Sequence, residues 1–101
     1  MPTVTPVEGK PNLLIGGYVL ADLGYAASEF FVSGTASSYA GEGAAGKAEY
    51  TSRIVALTPI DASTFNGTVL VEWLNVSGGI DTPAVWMMAH REIARAGYAY
   101  V

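Results

Sequence analysis

Apolar residues along the chain gather into short runs divided by glycine, proline and small polar stretches. The most strand-like run is residues 68–74, Thr-Val-Leu-Val-Glu-Trp-Leu, apolar on both faces except at Glu72. That pattern predicts a strand inside a sheet covered on both sides. Residues 25–33 carry the aromatic and β-branched content of another strand, centred on Phe30, Phe31 and Val32. In residues 50–57, Tyr50, Ser52, Ile54 and Ala56 fall on one side, and Thr51, Arg53, Val55 and Leu57 on the other. The contrast is weak, but its period of two favours a strand, paired antiparallel with 25–33.

A different period follows. Val85, Ala89, Ile93 and Ala96, widened by Trp86, make one apolar stripe and predict a helix over residues 83–96. Asp81 or Thr82 is the expected N-cap, Pro83 suits the first turn and Gly97 the stop. Arg91 and Arg95 lie late in this helix, where positive charge suits the dipole. Tyr98-Ala99-Tyr100-Val101 then opens a further strand. The second half of the chain thus reads strand, glycine-containing loop, helix, strand. This is a βαβ unit, whose crossover is expected to be right-handed.

The remaining segments read as punctuation. Residues 1–24, with Pro2, Pro6 and Pro11, form an irregular lead-in that includes the brief apolar run Leu13-Leu14-Ile15. Residues 34–46, rich in Gly, Ala and Ser, read as a long loop. Pro59 ends the second strand, residues 60–65 make one helical turn, and Asn66-Gly67 is a turn signal. A parallel strand from a βαβ unit normally lies between neighbours. The chain is therefore expected to be the opening part of a larger α/β protein, interrupted within the strand that begins at Tyr98.

Composition sharpens this picture. The 101 residues suffice for one small domain. Half are hydrophobic and only 14% are charged, against roughly 25% in an ordinary soluble domain. Such a balance suits apolar faces that meet further elements. The formal charge is −4, and Lys10, Lys47, Arg53, Arg91 and Arg95 are scattered, so no nucleic-acid footprint is expected. The absence of cysteine excludes disulfides, thiolate catalysis and cysteine-based metal sites within these residues. No apolar run reaches the length of a membrane span, and the first residues lack a signal-peptide pattern.

Ligands of open α/β sheets bind beyond the carboxyl ends of the strands, here the loop Asn75-Val76-Ser77-Gly78-Gly79. Adjacent glycines permit close backbone approach, and the helix that follows presents its N-terminus. N–H groups in such a loop either hold a developing oxyanion or merely complete a tight turn. Asn75 either donates from its amide or braces the loop. Ser77 lies outside any Gly-x-Ser-x-Gly pattern, which favours a cap or turn role over a nucleophile. His90, the only histidine, has no acid at a motivated spacing and makes neither a triad nor a metal site. Glu72 needs a partner within its apolar strand; Arg53, Lys47 or a residue outside the chain are the candidates. Gly-x-Gly-x-x-Gly and Gly-Lys-Ser/Thr patterns are absent, so no nucleotide site is indicated. No cofactor or metal is expected.

The run Phe65-Asn66-Gly67-Thr68-Val69-Leu70-Val71-Glu72-Trp73-Leu74-Asn75-Val76-Ser77-Gly78-Gly79 resembles a family of bacterial and fungal α/β-hydrolase domain proteins. The similarity continues through Trp86 and His90 to the stretch Arg95-Ala96-Gly97-Tyr98-Ala99-Tyr100-Val101, and earlier segments at 31–36 and 50–53 also look like that family. It covers roughly residues 24–101. The resemblance implies an α/β class, the N-terminal portion of an α/β-hydrolase fold, with antiparallel edge strands followed by the βαβ unit. Residues 25–101 would then be a partial domain, cut in a central strand. It implies ester or related acyl hydrolysis by a serine nucleophile, on a small ester-like molecule. The Asn75–Gly79 loop would supply an oxyanion N–H, from Val76 or Ser77, with Asn75, Gly78 and Gly79 shaping the loop. Nucleophile, acid and base match no residue here, so these 101 residues alone are expected to be inactive. The alternative is a small self-standing α+β binding or structural protein that self-associates through its terminal strand.

Overall fold

The aromatic run at 25–33 and the alternating run at 50–57 both lengthen in the structure, into strands of 13 residues each. The computed structural model describes residues 1–11, 13, 16, 19–39 and 46–101. Its elements are β1 (Thr3–Val7), β2 (Tyr25–Ser37), β3 (Lys47–Pro59), β4 (Val69–Leu70), α1 (Ala84–Ala96) and β5 (Ala99–Tyr100), with short 3₁₀ turns at Leu20–Leu23 and Ala62–Thr64. The strands form one mixed sheet in the order β1-β2-β3-β5-β4. β2 and β3 pair antiparallel from Tyr25↔Pro59 to Ser37↔Lys47. The loop expected over 34–46 is therefore shorter: residues 34–37 extend β2, paired against 47–50 of β3. Residues 40–45 of that expected loop lie outside the described residues, as do Leu14 and Ile15 of the short apolar run.

The lead-in is not wholly irregular. Thr3–Val7 pairs antiparallel with β2, from Thr3↔Ser33 to Val7↔Glu29. Alternating Thr and Val suit a strand, and Pro6 is tolerated because β1 is an edge, where a missing N–H costs no ladder bond on its open side.

β4 and β5 pair parallel, Val69↔Ala99 and Leu70↔Tyr100, with α1 as the connection, so the βαβ unit is present. β5 also pairs antiparallel with β3 at Leu57↔Tyr100. The terminal strand thus has a partner on each side. The 68–74 run departs from expectation. Only Val69 and Leu70 form the ladder, prolonged by a bond from Glu72 N–H to Val101 O at 2.8 Å. Leu70, Glu72 and Leu74 are half-buried, whereas Val71 is 80% and Trp73 99% exposed. β4 is an edge strand with α1 packed near one face, so alternation replaces the burial expected on both faces.

The core lies where α1 meets the sheet: Tyr25, Val55, Leu57, Trp86, Ile93 and Tyr100. Trp86 and Ile93 are the buried helix positions, seven apart and hence on one face, while Val85 is 44% exposed. The stripe is thus centred on Trp86 rather than Val85. Trp86 packs against Tyr100 and Tyr25 with ring centroids 5.3 and 6.0 Å away, both tilted, as aromatic quadrupoles prefer. The helix stops as expected. Gly97 adopts φ 79°, Gly97 N–H bonds Ala94 O at 3.3 Å, and Tyr98 N–H bonds Ile93 O at 3.1 Å, the paired bonds of a Schellman ending. The Tyr25 hydroxyl adds to this end, donating to Tyr98 O at 2.6 Å and lying 3.1 Å from Ile93 O.

Candidate functional site

Beyond β4 the chain enters the loop singled out by its glycines. Asn75 and Thr82 form an isolated antiparallel bridge, with Thr82 N–H donating to Asn75 O at 2.9 Å. Asn75 Oδ1 accepts from Ser77 N–H at 2.8 Å. Val76 O accepts from Gly79 N–H at 2.9 Å, and Gly79 takes φ 78°. Asn75 is thus a loop brace. Gly79 is the glycine whose conformation the turn requires, since Gly78 lacks a positive φ and a Cβ there would meet nothing within 4 Å. Of the two candidate amides, Ser77 N–H is engaged by Asn75, and Val76 N–H has no hydrogen-bond partner among the described residues.

The far end of the loop is fixed differently from expectation. Neither Asp81 nor Thr82 caps α1. The helix begins after Pro83, without a local side-chain cap. Its N-terminus is instead served by Glu72, whose carboxylate accepts from Val85 N–H at 3.0 and 3.2 Å. The Tyr100 hydroxyl also donates to that carboxylate. Burial foremost, and then this bond to Glu72, push the Tyr100 hydroxyl far above the usual phenol range, so it remains a donor. Neither Arg53 nor Lys47, two of the candidate partners, pairs with Glu72. A carboxylate at the positive end of a helix, with a phenol beside it, is satisfied without a cation.

Arg53 joins Glu29 and Asp81 instead. Glu29 stands opposite Val55 in the β2–β3 register, so it lies diagonal to Arg53 on the same face. The Glu29 bond, chiefly, holds the Arg53 guanidinium above its already high range. Asp81 was weighed only as a cap, and Arg53 only as a partner for Glu72. Their pairing needs the sheet and the loop brought together, which no local spacing announces.

A groove of about 490 Å³ runs beside these groups. Arg53, Glu72, Asp81 and Tyr100 give it polar edges, and Val55, Trp73, Leu74 and Val76 line it with apolar surface. His90 lies on α1 with Nδ1 3.1 Å from its own helix carbonyl at Trp86. A carbonyl only accepts, so this places the proton on Nδ1. Ser77 and its neighbours in the loop are exposed. Among the described residues no cluster of His, Asp and Glu could hold a metal, and no helix is long and apolar enough to cross a membrane.

The family model of the alpha/beta hydrolase domain matches residues 3–101. The match begins within β1, earlier than the 24–101 stretch that carries the resemblance in the sequence. Neither a curated protein nor a solved structure matches the chain. The chain belongs to the alpha/beta hydrolase domain family.

Proposed function

From membership of this family, we propose that the chain takes part in serine-dependent hydrolysis of an ester or related acyl substrate. Its contribution is the sheet and one oxyanion donor, Val76 N–H. The observation that carries the reading is the turn at Asn75. Asn75 Oδ1 engages Ser77 N–H and leaves Val76 N–H unpaired among the described residues, beside the groove. Attack of a serine hydroxyl on the acyl carbonyl moves charge onto the carbonyl oxygen. A fixed N–H aimed at that oxygen stabilises the tetrahedral intermediate, and a single donor of this kind is worth about 10²–10³ in rate. The nucleophile, its base and its acid come from chain outside residues 1–101, since no Gly-x-Ser-x-Gly pattern occurs here. The apolar groove suits a small neutral acyl group.

The test is turnover of an activated ester by the full-length protein and by the 101-residue chain alone. Turnover by the former, absent from the latter and unchanged by Ser77→Ala, is expected. Turnover by the short chain that disappears with Ser77→Ala would overturn the assignment.

A further inference from the structure

Glu72 is held by three residues at once, from α1, from β5 and from just beyond β5. Its N–H bonds Val101 O just beyond β5, and its carboxylate accepts from Val85 N–H in the first turn of α1 and from the Tyr100 hydroxyl of β5. Tyr100 is 2% exposed and packed on Trp86, so the hydroxyl comes from a rigid part of the core. Residues 73–84 run between Glu72 and Val85 and include the turn that presents Val76 N–H. One side chain therefore joins the start of this loop to its end. Helices are usually capped by a neighbouring Ser, Thr, Asp or Asn. Here the cap reaches in from the segment just after β4, so losing it would free the helix start and the loop together. The Arg53–Asp81 pair pins the same loop to β3 from another direction.

We infer that Glu72 is a positioning residue for the 73–84 loop, setting where Val76 N–H stands relative to the groove. The inference rests on the reading of Val76 N–H as the oxyanion donor. Glu72 acts through the loop and takes no proton in the reaction.

The experiment compares Glu72→Ala, Glu72→Gln and Val85→Pro in the full-length protein, reading amide hydrogen exchange together with kcat and KM on an activated ester. Glu72→Ala is expected to speed exchange at Ser77, Gly79 and Thr82 by about tenfold or more while the β2–β3 ladder is unchanged. It is expected to lower kcat by about tenfold, with KM within about threefold, as for a transition-state interaction that is weakened. Glu72→Gln keeps an acceptor for Val85 N–H and should restore most of both. Val85→Pro removes that N–H at a first-turn position where proline is tolerated, and should reproduce the Ala phenotype with Glu72 in place. If Glu72→Ala does not fold, Val85→Pro and Glu72→Gln carry the comparison. A folded Ala or Pro variant with unchanged loop exchange and kcat would overturn the inference. So would faster exchange spread evenly over sheet and loop, the mark of a purely stabilising residue. Absence of ester turnover in the unsubstituted protein would sink the hydrolase reading alone, because loop exchange still decides the role of Glu72.

Discussion

Replacing Gly97 by alanine tests how the helix is docked on the chain that precedes β4. Gly97 has φ 79°, and a Cβ there would sit 2.0 Å from Thr64 O and 3.2 Å from Thr64 C. Those atoms are backbone and are held in place. Asn66 N–H donates to Gly97 O at 2.9 Å, Asn66 Nδ2 donates to Ala96 O at 2.9 Å, and Thr64 N–H donates to Asp61 O at 3.0 Å. The left-handed conformation costs an L-residue about 1–2 kcal/mol, offset by roughly 0.4–1 kcal/mol from a less flexible unfolded chain. Displacing packed backbone adds about 1–3 kcal/mol, for a net loss centred on roughly 3 kcal/mol. Gly24 is the control, because it has φ 76° but a Cβ there meets nothing within 4 Å. Gly24→Ala should therefore cost only about 1 kcal/mol. Urea unfolding of both variants, compared at unchanged m, measures the difference. Equal shifts in the two midpoints would refute the reasoning, since they would leave no room for the contact with Thr64.

Tyr25→Phe removes a hydroxyl that serves the carbonyls ending α1, and should lower stability by about 1–2 kcal/mol in the same assay. Raised phenol pKa values at Tyr25 and Tyr100 mean that the unfolded chain loses these protons first as pH rises. Their contribution is fully present below about pH 10, the unfolded value, and should fall above it; thermal melts at stepped alkaline pH read the slope. Gly79→Ala should lower ester turnover several-fold, whereas Gly78→Ala should leave it near that of the unsubstituted protein, because only Gly79 has a positive φ. Equal kcat values for these two variants would contradict the turn geometry.

The parts of the fold that sequence conveyed are those set by local periodicity. The β2–β3 pairing, the helix and its stop at Gly97, and the βαβ order all follow from alternation, a 3.6-residue stripe and a single glycine. What escaped depends on distant partners. Thr3–Val7 holds a proline, Pro6, and becomes a strand only because β2 offers an edge. The 68–74 run carries apolar residues on both faces, so its sequence could not say which face α1 covers; the exposure of Val71 and Trp73 is a property of the packing. Glu72 stood out as a carboxylate in an apolar run, but its partners are a helix N–H and a phenol rather than a cation. Local spacing pointed to the loop, but that Asn75 Oδ1 engages Ser77 N–H shows only with the Asn75 side chain in place.

The central claim is a serine hydrolase whose nucleophile lies outside these residues and whose oxyanion donor lies within them. The most direct measurement treats the full-length protein with a fluorophosphonate and maps the covalent adduct by mass spectrometry. The expected adduct is on a serine of a Gly-x-Ser-x-Gly pattern outside residues 1–101, with ester turnover lost in proportion to labelling. An adduct on Ser77, or turnover that survives complete labelling, would contradict the account.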